Sequence, residues 1–93
     1  MTTAAHTVAD YVAAMRVRGL RADNTTGGAA FITATRHLNI TTGTAGHWDT
    51  GIATTHDGHC YPVTVDVTDQ DNPEHVADAW AAHITALRQQ EAS

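Results

Sequence analysis

The sequence has no lysine, one cysteine, two prolines and one phenylalanine among its 93 residues. The single cysteine, Cys60, excludes a disulfide within the chain, which agrees with a reducing compartment. No apolar run approaches the roughly 18 residues that a membrane-spanning helix needs. The first ten residues lack the basic start and the apolar stretch of a secretory signal. We therefore expect a cytoplasmic protein that contacts no membrane.

Without lysine, the positive charge is carried by five arginines, and the formal net charge is −5. Residues 1–38 hold four arginines and two aspartates, whereas residues 39–93 hold one arginine and eight acidic residues. This balance disfavours non-specific nucleic-acid binding through most of the surface. The chain is crowded with Ala, Thr, Gly, Asp and His, a usage that indicates a high-GC bacterium or one of its phages.

The length predicts a single domain over residues 1–93, with a core from about 7 to 90 and short flexible termini. Thr7 followed by Asp10 resembles a helix N-cap, and Gly19 suits the position after the last turn, so a helix is predicted over 7–18. Asn72 and Pro73 open a second apolar stripe with helical spacing, which predicts a helix to about residue 90.

The segment between the helices is rich in Thr, Gly and β-branched residues, as strands and turns require. Residues 31–40 fit either one strand or a broken pair, and residues 20–26 fit an additional strand whose register the sequence leaves open. The predicted fold is α+β: an N-terminal helix, a three- or four-stranded antiparallel meander sheet, and a C-terminal helix. Both helices should cover one face of the sheet and leave the Thr-rich face open.

Asp57-Gly58 is a strong signal for a two-residue hairpin turn. Pairing outward from it places apolar residues on one face and polar, small or charged residues on the other. The turn then aims the nitrogen of Pro62 away from its hairpin partner, which marks the 60–67 strand as a sheet edge. The predicted inward pairs are His56 with His59, Thr54 with Tyr61, Ile52 with Val63, Thr50 with Val65 and Trp48 with Val67. The outward pairs are Thr55 with Cys60, Ala53 with Pro62, Gly51 with Thr64 and Asp49 with Asp66.

Metal binding is one alternative function, because this hairpin register makes His56 and His59 cross-strand neighbours. Cys60 would point to the opposite face, so the His-x-x-His-Cys run does not converge on one ion. Without a third ligand from elsewhere, the two histidines form a polar rim at the hairpin tip, and no cofactor is predicted.

Nucleic-acid binding is a further alternative, because the order helix, three strands, helix resembles the topology of double-stranded RNA-binding domains. In that family the start of the last helix carries a lysine cluster, whereas the corresponding segment here contains Asp69, Asp71 and Glu74. Those carboxylates would repel RNA.

No nucleophile elbow, phosphate-binding loop, metal signature or catalytic constellation is present in the sequence. The sequence therefore favours a small non-catalytic protein-interaction module that binds a protein partner or itself. Such a module fits a homodimeric accessory or regulatory protein of a phage or mobile element that binds a host protein. The predicted interaction residues on the outer face and edge are Cys60, Thr64, Asp66 and Asp49, and the unpaired backbone of the 60–67 edge should allow a partner strand to add there. A second predicted surface is a basic strip of Arg16, Arg18 and Arg21, which could meet the acidic segment 66–78 of another subunit.

Overall fold

The computed structural model describes residues 7–25 and 27–92. The strands form one antiparallel sheet in the order β1-β2-β3-β4-β5, and the two helices pack against each other on one face of it. This confirms the predicted α+β class, with five strands instead of three or four. None of the helices in the described ranges is long and apolar enough to cross a membrane. The elements are α1 (Val8–Val17), β1 (Arg21–Asn24), β2 (Ala30–Thr35), β3 (Leu38–Thr42), a short 3-10 turn (Thr44–Gly46), β4 (Thr50–Thr55), β5 (Cys60–Thr64) and α2 (Pro73–Ala92).

Both helices begin where the sequence signals them. The Asp10 carboxylate accepts a hydrogen bond from the Thr7 backbone N–H at 2.9 Å, and Asn72 Oδ1 accepts one from the Glu74 N–H at 3.0 Å. After α1, the Gly19 N–H donates to Arg16 and the Leu20 N–H donates to Met15, the pair of bonds that defines a Schellman ending. These local bonds fix the boundaries of the helices before any tertiary packing is considered.

The segment 31–40 is the broken pair of strands. Arg36 and His37 form the turn between β2 and β3, and Thr35 Oγ1 accepts a hydrogen bond from the His37 N–H at 3.1 Å. The pairing shifts between Thr33 and Thr35, which leaves Ala34 as an extra residue in a β-bulge. The polar turn explains why Arg36 interrupts the alternating pattern of this segment.

The predicted hairpin register is wrong by one residue. The structure pairs Thr54 with Cys60, Ile52 with Pro62 and Thr50 with Thr64. The loop holds three residues, because the Thr55 N–H bonds to the His59 carbonyl and the Gly58 N–H bonds to the Thr55 carbonyl. Gly58 closes the loop with φ +94, in the left-handed region that a three-residue hairpin requires at this position.

Shifting the register by one residue reverses the face of only one strand, and that strand is β4. Val63, Val65 and Val67 pack against the core as predicted. On β4, however, Ala53 points inward and is fully buried, while Ile52 is 48% exposed. The inner side of β4 is small at Gly51 because the Trp80 side chain of α2 reaches it. A Cβ on Gly51 would stand 3.2 Å from Trp80 Cη2.

The core is tied together by three aromatic residues. Trp80 Nε1 donates to the Trp48 carbonyl at 2.8 Å, and the Trp48 N–H donates to Gln70 Oε1 at 2.8 Å. The Trp48 ring stacks on Tyr11 with centroids 3.9 Å apart and planes 6° from parallel. These contacts join α1, α2 and the loop before β4, so they hold both helices on one face of the sheet.

We expect Gly51→Ala to lower the free energy of unfolding by about 2 kcal/mol, a typical cost of overpacking. The added Cβ would stand 2.8 Å from the Thr41 carbonyl oxygen, a backbone atom that cannot move aside cheaply. Gly27→Ala is the matched control, because its nearest neighbour would be Thr25 Oγ1 at 3.9 Å. Urea denaturation of both variants measures the difference, and equal stability of the two would contradict this packing.

Burial raises the pKa of Tyr11 above its ordinary value of 10.0, and the carboxylates of Asp71, Asp69 and Asp10 raise it further. Because the pKa of Tyr11 is higher in the folded state, neutral Tyr11 stabilises the fold fully below pH 10. This contribution to the free energy of unfolding is lost as the pH rises above 10 towards the folded-state pKa. The Tyr61→Phe variant leaves Tyr11 as its only tyrosine. Its tyrosinate absorbance should titrate with a midpoint above 10.0 when folded and fall to the ordinary value in urea. A folded midpoint at the ordinary value would place Tyr11 in solvent.

Candidate interaction surface

The sheet face opposite the helices, here called the open face, is covered by no described element of the chain. One line of cross-strand partners runs across its middle, from Asp23 on β1, the partner of Phe31, to Pro62 on β5. The part of this line from β2 to β5 is here called the central row. This central row consists of Phe31, Thr41, Ile52 and Pro62. Phe31 is 36% exposed and Ile52 48% exposed, so two large apolar side chains stand on this face. Polar residues and Cys60 border the row: Arg21, Thr33, Asn39, Thr54 and Cys60 on one side, and Thr50 and Thr64 on the other.

The β5 edge of the sheet is blocked against strand addition by Pro62. Backbone bonds at Thr55 to His59 and at Val65 to Asp49 set the alternation, so the Pro62–Ile52 pair is one without ladder hydrogen bonds. The nitrogen of Pro62 therefore faces the free edge, where it has no proton to donate. This confirms that β5 is an edge strand, and it disfavours pairing of another strand along it.

The opposite edge, β1, is covered by a side chain from α1. Arg16 Nε donates to the Ala22 carbonyl at 2.8 Å, and Arg16 Nη2 pairs with Asp23 Oδ1 at 2.6 Å. A guanidinium bound to an edge carbonyl occupies the acceptor that an incoming strand would need. With both edges blunted, the open face is the surface of the sheet that remains for a partner.

The outer residues named from the sequence lie at different places around this face. Cys60 and Thr64 are exposed on it, and Cys60 Sγ lies 3.6 Å from Thr54 Oγ1. Asp66 follows β5 and lines a shallow depression beside His75 of α2. Asp49 is half-buried and bonds through its carbonyl to Val65, so the predicted Asp49–Asp66 pair is wrong.

The predicted basic strip is divided by ion pairs within the chain. Arg18 Nε pairs with Asp78 Oδ1 at 2.5 Å, and its Nη1 donates to the Ala14 carbonyl. The hydrogen bond from Arg18 holds the pKa of Asp78 below its ordinary value. Arg16 is paired with Asp23, whereas Arg21 makes no ion pair with any described residue. A meeting of this strip with another subunit therefore depends on Arg21.

The predicted His56–His59 pair is wrong, because the three-residue loop removes the register that made the two histidines partners. His56 instead lies near His37, with ring centroids 6.5 Å apart, while His59 Nε2 stands 3.6 Å from Asp57 Oδ2. Among the residues in the described ranges, no three His, Cys, Asp or Glu side chains come together in a way that could hold a metal ion.

The sequence reasoning missed the central row because it assigned Ile52 to the core. The sequence did contain a sign of this arrangement, because Gly51 and Ala53, on either side of Ile52, are both small. A strand that packs under a large helix side chain needs small residues on its inner face. Phe31, which has the opposite parity to Ile32, was the second sign.

No protein-family model, curated protein or solved structure matches the chain.

The Arg18–Asp78 pair should keep the pKa of Asp78 low at every protein concentration, because both residues belong to one chain. Carboxyl-carbon NMR titration measures this pKa, and Arg18→Gln should return it to about the ordinary value of Asp. Because the pKa of Asp78 is lowered in the folded state, the ion pair stabilises the fold at pH values above the ordinary pKa of Asp. This stabilisation is lost as the pH falls through the lowered pKa. A pKa that rises on dilution would instead place Asp78 against the arginine of another subunit.

Proposed function

We propose that the protein is a non-catalytic protein-interaction module that self-associates through the open face of its sheet. One observation carries this proposal: the central row exposes Phe31 and Ile52 on a face that none of the elements in residues 7–25 and 27–92 covers. An exposed apolar patch rimmed by polar side chains is the usual mark of a protein contact surface.

The arrangement of the row favours a second copy of this chain as the occupant. Phe31 on β2 and Ile52 on β4 flank Thr41 of the central strand β3. A two-fold axis parallel to β3 and passing over Thr41 would bring Phe31 of each copy onto Ile52 of the other. Such a contact is isologous and closes at two subunits, and aligned packing of two sheets is a common arrangement.

The size of the open face predicts a weak association. Five strands about 4.8 Å apart and five residues of about 3.4 Å each give a projected area of about 400 Å². A footprint of this size lies at the low end of specific interfaces, which bury about 800 Å² of accessible surface on each partner, so we expect dissociation in the micromolar range or above. A reversible dimer suits a regulatory accessory protein of a phage or mobile element, whose monomer would expose the same face to a host protein.

The surroundings of the single cysteine support a non-catalytic role. Cys60 Sγ contacts the hydroxyl of Thr54 and the carbonyl of Gly58, neither of which is a general base. A nucleophilic thiol needs a neighbouring base or positive charge that favours the thiolate.

Sedimentation velocity over a range of concentrations tests self-association. The wild-type protein should show a sedimentation coefficient that rises with concentration, and Ile52→Lys should remain monomeric because it places a charge in the middle of the central row. Val17→Lys is the matched control, since Val17 is 83% exposed on α1, away from the open face. Both variants should stay folded, because neither residue is buried.

Three outcomes would overturn the proposal. The first is a wild-type protein that stays monomeric at millimolar concentration. The second is a dimer that both lysine variants weaken equally, which would indicate a general charge effect. The third is a wild-type monomer that forms a stoichiometric complex with a host protein, sensitive to Ile52→Lys, which would keep the open face as the binding surface but replace the second copy as its occupant.

A further inference from the structure

We infer that the structure holds a binding site for a small phosphorylated molecule at the end of the sheet where β1 begins and β2 ends. An open groove of about 600 Å³ lies there, beside the last turns of α2. A groove of this volume suits one small ligand. Its lining consists of Arg21, Thr33, Ala34, Thr35, Arg36, Arg88 and Glu91, and we call it the arginine groove.

The distribution of charge is the first argument for an anionic ligand. The chain has only five cationic side chains other than histidine, in a protein of net charge −5. Two of them, Arg16 and Arg18, are neutralised by Asp23 and Asp78. The other three, on β1, the β2–β3 turn and α2, line this one groove. Among the described residues of the lining, Glu91 is the one carboxylate, so these side chains carry a surplus of positive charge that favours an anion.

Arg88 is held in position by the backbone before any ligand arrives. Its Nε donates to the Ala34 carbonyl at 2.8 Å, and Ala34 is the bulged residue of β2. A guanidinium fixed through Nε still has both Nη groups available, and two Nη donors match two oxygens of a phosphate. The bulged residue Ala34 therefore supplies the carbonyl that orients Arg88 towards the groove.

The remaining lining residues suit a phosphate that carries a hydroxyl-bearing group. Thr35 Oγ1 accepts a hydrogen bond from the His37 N–H, which leaves the hydroxyl proton of Thr35 to be donated elsewhere. Glu91 can accept a hydrogen bond from a hydroxyl of the group that the phosphate is attached to. The arginine groove thus fits a phosphate monoester of a polyhydroxylated small molecule.

Nucleic acid is a poorer occupant than a small ligand. A duplex would extend well beyond the arginine groove, over a surface whose net charge is negative. The cluster of acidic residues at the start of α2 would add repulsion along any long polyanion.

The experiment uses inorganic pyrophosphate and glucose 6-phosphate as probes, titrated into the full-length protein and followed by amide and arginine Nε NMR. Both should shift the resonances of the arginine groove, with weaker binding at higher salt. Arg36→Gln and Arg88→Gln should each weaken binding about tenfold, because each removes a charge-assisted contact. Arg36 lies in an exposed turn, so its substitution tests the site without disturbing the core.

Matched variants distinguish binding at the arginine groove from non-specific attraction by the net charge of the protein. Arg16→Gln changes the net charge by the same amount outside the groove and should leave affinity unchanged. Glu91→Gln should strengthen pyrophosphate binding about threefold by removing a repulsive charge. Arg88→Lys should weaken binding nearly as much as Arg88→Gln, since an ammonium cannot bond to Ala34 and grip two phosphate oxygens as a fork.

Equal weakening by Arg16→Gln and Arg36→Gln would overturn the proposal, as would the absence of shifts with either probe. Binding of a duplex RNA oligonucleotide more tightly than either probe, with the same dependence on Arg36, would replace the small ligand with nucleic acid. The proposal does not rest on self-association, because every lining residue belongs to one copy of the chain, so the Ile52→Lys variant should still bind pyrophosphate.

Discussion

The structure depends on the hydrogen bond from the Trp80 indole to the Trp48 carbonyl. The Trp80 side chain, the largest of α2, is fully buried beside the residue that leads into β4. The bond gives its Nε1–H a hydrogen-bond partner, which this burial would otherwise deny it. Trp48 in turn stacks on Tyr11 of α1, so both helices contact the same residue, Trp48. Gly43 completes the arrangement, because any Cβ there would stand 2.5 Å from the Trp48 ring.

That packing decides which sheet face is bare. Both helices pack around Trp80 on one face, so no described element covers the other face, where the central row carries the exposed Phe31 and Ile52 among threonines. Two residues hinder strand pairing at the sheet edges: Pro62 on β5 lacks a backbone N–H, and Arg16 occupies an edge carbonyl of β1. The chain thus discourages uncontrolled strand pairing while leaving a face that can dock.

The few arginines divide into two groups with different roles. Arg16 and Arg18 hold α1 to β1 and to α2 through carboxylates and backbone carbonyls. Arg21, Arg36 and Arg88 come from three separate elements and meet in one groove. Arg21 also borders the open face, so the two surfaces adjoin at that residue. In an acidic chain this concentration of positive charge defines a place for an anion without any sequence motif.

The sequence by itself determined the local structure: the caps of both helices, the fold class, the edge position of Pro62 and the valine face of β5. Each follows from contacts between near neighbours or from the chemistry of one residue type. Only the tertiary structure decided the register of β4 against β5, the exposure of Ile52 and the meeting of three arginines. A two-residue and a three-residue hairpin are both compatible with Asp57-Gly58. The fit of Trp80 against Gly51 and the burial of Ala53 select between them. The sequence carries only an indirect sign of this long-range packing, the small residues Gly51 and Ala53, because their spacing alone does not say which helix residue lies against them.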